Sequence, residues 1–550
     1  MINFIRTFPV SAGFPNAGPS TAVGANCAPT SAQDDSRFVA ANCAPTSAQD
    51  DSRFVAARWS AGVFACAVLA VCGAVPMHGQ QSKPWEKIPI PALKEFKPQQ
   101  PKRIELKNGI VLFLQEDHEL PFVSGTILIE GGSHMEEPGK TGLVSLYGDA
   151  WRTSGTAKVS GDQMDDLLEA KAAHIETDGG LESTTLSWDS LKADTDQVFS
   201  LAIDLLLHPK FDLMKLRLAQ QQAATGIVRR NDNEGQIASR EAAKLVYGPD
   251  SPYTRQPELK TIGSVTVADL QAFHDKTIGD RMIVGVSGDF DPAAMEAKLR
   301  AAFDPLPPVH KLPAQHEDFH PPQRAIYFID KQDVNQSNIQ IVGLGTDRRN
   351  PDVPTISVMN DILGGGFASR LFQTVRTKLG LAYAVGGGEG FAYDHPAMFH
   401  VQVMTKSAST VDATKAAMEQ IAGMNTEPFT DEELKRAKDD ILTSFLFLYD
   451  TPDKVLSERM RLEFYGYPSD YLEKYEAKLR TVTVADLKAA AKKYIHPDQM
   501  AVLVVGKGSD IKPGLEALGM GTPKTIDITI PGMPQRGPGA GPGPGAEEKQ

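Results

Sequence analysis

Beyond residue 72 the chain has no cysteine: all four, Cys27, Cys43, Cys66 and Cys72, lie in the first 72 of its 550 residues. That excludes disulfides, a thiol nucleophile and a thiolate-held zinc or iron–sulfur centre from the folded body, so a metal there must use His and carboxylates. A basic excess is also missing. Lys plus Arg number 56 against 69 Asp plus Glu, a net charge of −13 that disfavours nucleic acid as a partner. The chain further lacks an apolar run of the roughly 20 residues that a membrane span needs. Its best candidate, Ser60 to Val75 behind Arg58, holds about 16 small and apolar residues. A basic flank with an apolar stretch of that length predicts a secretory signal across residues 58–79, hence a secreted or periplasmic protein with no stable membrane span in the mature chain. A short membrane anchor is the competing reading, and Leu69-Ala-Val-Cys72 resembles a lipoprotein site with a bulky Val71 where a small residue is expected. A signal so deep in the chain predicts a translation start downstream of Met1.

What is present divides the chain. Residues 26–41 recur letter for letter as 42–57, a polar tandem copy with no hydrophobic period. Together with the signal-like segment they make a leader, residues 1–79. The last twenty residues contain six Gly and five Pro, so 511–550 is expected to be a disordered tail. Between the ends, Val265-Thr-Val-Ala-Asp-Leu270 recurs as Val482-Thr-Val-Ala-Asp-Leu487, an offset of 217 at which Lys276 also matches Lys493 and Ile278 matches Ile495. In both copies the Thr reads as a helix N-cap with Asp in the first turn. Each helix leads into an apolar strand ending in Gly288 or Gly506. The match predicts two homologous domains, 80–303 and 324–510, joined by a linker, 304–323, that holds six prolines. Asn108-Gly109 marks a hairpin, Val123 to Glu130 a further strand, and Thr430-Asp-Glu-Glu433 a capping box opening a helix to about Leu448. The expected class is α+β, each domain an antiparallel sheet with helices packed on one face.

Two strings could carry chemistry. His316-Glu-Asp-Phe-His320 matches H-E-x-x-H, which holds zinc only on a helix. Pro313, Pro321 and Pro322 crowd it, so it reads as a decoy. Gly364-Gly-Gly366 precedes Ser369-Arg-Leu-Phe-Gln-Thr-Val-Arg376-Thr-Lys-Leu-Gly-Leu-Ala-Tyr383. Helical periodicity from Phe367 to Lys378, broken at Gly380, would set Arg376 at a helix end and Tyr383 on the next strand. Two such donors can converge on a carbonyl that becomes an oxyanion. A helix-end Arg answering the macrodipole beside a half-buried Tyr is the structural alternative.

From about residue 100 to 508 the chain resembles the insulinase/pitrilysin family of zinc peptidases, which includes mitochondrial processing peptidase. Ser369 to Tyr383 fits the family's second-domain string throughout, and the loop Gly131 to Gly142 fits a first-domain hallmark. The resemblance implies a clamshell half, and implies that Arg376 and Tyr383 hold substrate backbone and stabilise a tetrahedral intermediate. The family's inverted zinc motif is lost, however. Ser145 and Asp149 stand where its two His belong and Gly148 where its general base belongs, and Leu213 to Asn231 has no carboxylate for the third ligand. A catalytic zinc needs about three protein ligands and a base. The resemblance therefore implies no metal on this chain. It implies instead a non-catalytic subunit that lends Arg376 and Tyr383 to a zinc-bearing subunit of the same family acting on unfolded peptides. The alternative is a peptide-binding or assembly protein with no role in proteolysis.

Overall fold

The offset of 217 is visible in three dimensions as two lobes with nearly the same wiring. The computed structural model describes residues 97–310, 317 and 319–533. The leader with its tandem repeat and signal-like segment, residues 80–96 and residues 534–550 lie outside the described residues.

The first sheet comprises β1 (Lys102–Glu105), β2 (Val111–Glu116), β3 (Phe122–Glu130), β4 (His174–Gly179), β5 (Ser183–Leu191) and β6 (Met282–Gly288), in spatial order β1-β2-β6-β3-β5-β4. Its half of the chain also forms α1 (Leu143–Ser154), α2 (Gly161–Glu169), α3 (Thr195–Leu207), α4 (Leu213–Arg229), α5 (Glu234–Tyr247), α6 (Leu259–Gly263), α7 (Val267–Thr277) and α8 (Pro292–Phe303). The second half supplies β7 (Ile326–Asp330), β8 (Gln336–Leu344), β9 (Thr346–Asp347), β10 (Ala382–Gly388), β11 (Phe391–Ala392), β12 (Met398–Lys406), β13 (Ala501–Gly506) and β14 (Lys524–Thr525). Six of these build a sheet ordered β10-β12-β8-β13-β7-β14, while β9 and β11 pair separately. Its helices are α9 (Val353–Gly364), α10 (Thr410–Thr426), α11 (Asp431–Leu448), α12 (Pro452–Phe464), α13 (Tyr471–Thr481) and α14 (Val484–Tyr494). Helices α7 and α14 carry the repeated hexapeptide. Each is opened by a reciprocal capping box, Thr266 with Asp269 and Thr483 with Asp486. The hairpin closes at Asn108-Gly109, where Gly109 takes φ +88° and Leu106 accepts its amide at 3.0 Å.

The α+β expectation holds, with two corrections. The sheets are mixed, not antiparallel: β2 runs parallel to β6, and β7 parallel to β13, because both pairs are joined through long connections that return the chain to its starting end. Nor are helices confined to one face. Alternate residues of the central strands point to opposite sides, and both sides are apolar. On one face of the first sheet, Leu112, Leu114, Val284 and Val286 meet the lobe's own helices. On the other, Val111, Phe113 and Ile283 meet Leu456, Met460 and Phe464 of α12, a helix from the other half of the chain. The second sheet repeats the arrangement in reverse. Val342, Ala501, Leu503 and Val505 are covered by Ile237, Ala238, Ala242 and Val246 of α5. Arg281 fixes α12 in place, donating to the carbonyls of Phe464 (2.7 Å) and Glu463 (2.5 Å), while Arg103 takes the Glu463 carboxylate through two bonds of 2.9 Å.

A third correction concerns the tail. Residues 511–533 are ordered, because they carry apolar side chains ahead of the Gly/Pro-rich stretch. Strand β14 pairs with β7, Ile526 and Ile528 pack against the α5 cluster, and Ile530 is 8% exposed in the core of the first lobe. The described part of the linker lies along the first lobe, Val309 and His310 donating to the carbonyls of Asn108 and Gly279 at 2.9 Å.

Two stability predictions follow from this packing. Met460→Ala should destabilise the whole chain by about 2–4 kcal/mol in denaturant unfolding, as core truncations to Ala do. A fragment of residues 97–310 should show no cooperative melt, since Val111, Phe113 and Ile283 lose their cover; a sharp transition would refute the exchange as a folding requirement. The core also stores a pH response. His274 is 4% exposed, with Nδ1 3.0 Å from the Tyr147 hydroxyl, and burial pushes it down to about 4 against the raising effect of the Leu206 backbone. Below pH 6.5 the unfolded chain takes up a proton that the folded chain refuses, so stability falls as pH drops from 6.5 to 4, by about 3 kcal/mol for this group. His400, also pushed down to about 4 by burial, adds to the same window. Melting temperature against pH should therefore decline less steeply between 6.5 and 4 in His274→Gln than in the parent chain.

Candidate functional site

The site begins with a buried acid. Loop 131–142 carries Glu136, whose Oε2 accepts from the Gly142 amide at 2.9 Å and Oε1 from the Val144 amide at 2.6 Å. The carboxylate thereby satisfies the first free amides of α1, where the helix dipole also favours negative charge. Burial nonetheless pushes its pKa up against the lowering effect of those bonds. Gly142 takes φ +102°, which a side chain would strain. The loop's function in this chain is thus to aim α1.

Helix α1 carries the three degenerate positions. Its inner face, Leu146, Tyr147, Ala150 and Trp151, is buried in the first core. Ser145 and Asp149 are exposed. Gly148 faces β4, and that strand leaves no space for anything larger. A Cβ at Gly148 would stand 2.9 Å from the Asp178 carbonyl carbon and closer still to the Gly179 amide nitrogen. A Cβ at Gly179 would in turn strike Val144. Hydrogen bonds lock this approach: Thr177 Oγ1 donates to the Gly148 carbonyl at 2.6 Å and accepts from the Arg152 amide at 3.1 Å. Asp149 is open to water, yet surrounding protein pushes its carboxyl up, and the Asp178 carboxylate adds to the effect. Helix α4, packed on α1, offers Gln220, Gln221 and Gln222 but no acid. The residues present do not fit a zinc peptidase centre: one ligand position is a hydroxyl, the base position has no side chain and no room for one, and the third carboxylate is missing. His134 and His174 do not replace them, since His134 bonds the Leu181 carbonyl and His174 pairs with Asp189.

The decoy reading of the linker string agrees with what is described of it. His316 and Asp318 lie outside the described residues, and Glu317, Phe319 and His320 are not helical. Glu317 accepts from Ser251 at 2.9 Å.

Arg376 and Tyr383 are brought together. The helical stretch after Gly366 is shorter than the periodicity predicts, and its last seven residues, Phe372–Lys378, wind as a π-helix. The wider turn delivers Arg376 onto the Phe372 ring, 4.7 Å from guanidinium carbon to ring centre, and 5.9 Å from the Tyr383 ring. Gly380 then reverses the chain at φ +63°. Strand β10 is an edge strand, and its register against β12 slips between Ala382 and Ala384. Tyr383 is the residue in that bulge, which turns it outward to 70% exposure. Among the described residues neither the Arg376 guanidinium nor the Tyr383 hydroxyl has a hydrogen-bonding partner. The contrast with Arg370 in the same string is informative: it is held by Glu433 at 2.8 and 3.0 Å and lies over Phe429. One arginine anchors the turn to α11, and the other is left free. Sequence reasoning missed Gly179, Thr177 and Asp178, which close off the degenerate site from another strand. Only the Gly179-Gly180 doublet hinted at a close approach there.

Comparison with known proteins agrees with this geometry. Residues 264–441 match the family described as Peptidase M16 inactive domain. The chain is 20% identical over 412 residues, 74% of its length and 99% of the relative's, to an uncharacterized zinc protease, YmxG, of Bacillus subtilis. It is also 20% identical over 403 residues, 72% of its length and 91% of the relative's, to a protein of Helicobacter pylori named a non-peptidase homolog. Among solved structures, an M16 inactive-domain protein from Pseudomonas fluorescens superposes with a TM-score of 0.66 at 24% identity, covering 74% of this chain and 98% of that one. These matches bear out the resemblance read from Ser369 to Tyr383, and the descriptions inactive domain and non-peptidase homolog agree with the loss of the zinc motif on α1.

Writing the motif back should fail. Ser145→His, Gly148→Glu and Asp149→His together should give no hydrolysis of an unstructured peptide in added zinc, and the forced side chain at 148 should cost at least about 2 kcal/mol of stability, the scale of overpacking. Peptide cleavage by the triple variant would show that β4 yields.

Proposed function

We propose that this chain, an insulinase-like M16 peptidase homologue of the inactive type, is the non-catalytic subunit of an exported zinc metallopeptidase. It lends Arg376 and Tyr383 to a partner of the same family that carries the zinc and its general base. The observation that supports this reading is the free, exposed Arg376–Tyr383 pair beside a first lobe that has lost every zinc-motif group. A surface arginine stacked on one ring and near a second is already desolvated on its faces, while its edge keeps N–H donors for a ligand. An unfolded peptide laid along this edge would present carbonyl oxygens to the guanidinium and the phenol. When a carbonyl oxygen gains negative charge in the tetrahedral intermediate, both hydrogen bonds become charge-assisted and strengthen, which lowers the barrier rather than merely tightening binding. Phe367 and Leu379, 65% and 48% exposed, give the edge an apolar rim for substrate side chains. Export follows from the signal-like segment 58–79. In the second reading, a peptide-binding or assembly protein, the same rim holds a chain that is never cut.

The two readings part on kcat. The full chain would be isolated from its native cells without chelator, together with the co-purifying protein that carries an intact H-x-x-E-H motif, and the pair assayed at steady state. Arg376→Ala and Tyr383→Phe should each lower kcat on the order of 100-fold, the usual cost of one oxyanion donor. A loss below about twofold in both, with the complex intact, would sink the catalytic reading in favour of the binding one.

A further inference from the structure

A second constellation lies where the lobes meet, with no residue in common with either site above. Glu182 sits in the turn between β4 and β5 of the first lobe; Asp394 and His395 follow β11 in the second. One ligand atom from each lies within 4.8 Å of the others. His395 Nδ1 is 2.6 Å from Asp394 Oδ1, and the Tyr253 hydroxyl donates to Asp394 Oδ2 at 3.2 Å. Aromatic rings wall the group in: those of Tyr253, Tyr247 and Phe319 stand 4.1, 5.6 and 6.1 Å from the His395 ring, leaving the imidazole side chain 13% exposed.

Charge is what makes this arrangement unusual. Two carboxylates from different lobes face each other in an apolar surround, a third, Glu317, acts on Tyr253 beside them, and among the described residues no Lys or Arg pairs with Glu182 or Asp394. Burial first, and then the neighbouring Asp394, push the Glu182 carboxyl up. Burial opposes ionisation of Asp394 too, but the bonds to His395 and Glu182 hold it down. The Glu182 turn is rigidly placed, because the loop that aims α1 grips it: the Gly131 amide donates to the Glu182 carbonyl at 3.1 Å, and His134 to Leu181 at 3.0 Å.

We propose that Glu182, Asp394 and His395 form a site for a zinc-class divalent cation that clips the two lobes together. One imidazole and two carboxylates are a donor set that zinc accepts, with water completing the shell. Ligand atoms around a tetrahedral zinc stand roughly 3.4 Å apart, so closure needs side-chain movements of about an ångström. Tyr253, donating to Asp394, is the outer partner that orients a ligating carboxylate. Calcium, which takes six or more oxygens, does not suit so small a set. The site is distinct from the degenerate motif on α1 and supplies no peptidase chemistry; its consequence is a fixed angle between the lobes.

The test uses the full chain, stripped with chelator, dialysed against zinc alone and weighed for metal by elemental mass spectrometry. About one zinc per chain is expected, with a melting temperature raised by about 3 °C or more at a hundredfold excess over Kd and unmoved by calcium. His395→Ala and Glu182→Gln should each weaken zinc binding at least tenfold, and Asp149→Asn should leave it unchanged. Zinc-dependent protection of histidines from diethylpyrocarbonate, read peptide by peptide on the unaltered chain, needs no variant to fold and should fall on His395. A chain that takes up no zinc, zinc retained by both variants, or protection falling on His316 or His320 instead would each overturn the proposal.

Discussion

Each sheet of this protein has two apolar faces and only one set of helices from its own half of the chain to cover them. The remaining face is covered by a helix from the other half, α12 on the first sheet and α5 on the second. Everything else is arranged around that exchange. Burying Val111, Phe113 and Ile283 on one side and Val342, Leu503 and Val505 on the other returns a few kcal/mol per large side chain, and neither gain exists unless both lobes are present. The duplicated halves are therefore packed into one body, each covering a face of the other's sheet. The C-terminal segment belongs to the same economy of surfaces, since Ile526 and Ile528 extend the α5 cluster and Ile530 reaches the first core.

Duplication also makes the functional asymmetry readable. Helix α1 lies on the edge strand β4 in the first lobe, as α9 lies on β10 in the second. In both lobes that contact is glycine against glycine, Gly148 on Gly179 and Gly364 on Gly387, and in the first the space a base would need at 148 is filled by backbone. The second lobe adds a π-helix and a bulge, and the residues those irregularities displace are Arg376 and Tyr383. Backbone irregularity costs stability and persists where the surroundings over-determine it. Here the Arg370–Glu433 bond and the buried Val375 hold the irregular turn in place. One lobe has no room for a side chain at 148, while the other leaves Arg376 and Tyr383 exposed at its edge.

Much of this was legible in the residues. The hexapeptide at 265 and 482 gave the duplication and both N-cap threonines, because an N-cap is a local interaction within four residues. The string from Ser369 to Tyr383 gave the pairing of Arg376 with Tyr383, and Ser145, Gly148 and Asp149 gave the loss of the zinc motif on α1. Strands such as Val111 to Leu114 and Ala501 to Val505 are apolar without interruption, the mark of burial on both faces. That signal contradicted the one-faced sheets expected from the same residues, but it could not say which helix would do the covering.

What the amino-acid sequence determined by itself is everything that depends on neighbours in the chain: caps, turns, the repeat, and which side chains are available for chemistry. Only the tertiary structure decided what depends on residues hundreds of positions apart. The exchange of α5 and α12, the backbone of β4 pressed against Gly148, the freedom of Arg376 beside the tethered Arg370, and the meeting of Glu182 with Asp394 and His395 all belong to that class. The physical reason is that burial and electrostatics act through space, so a residue's partners are set by how whole faces pack and not by its place in the chain.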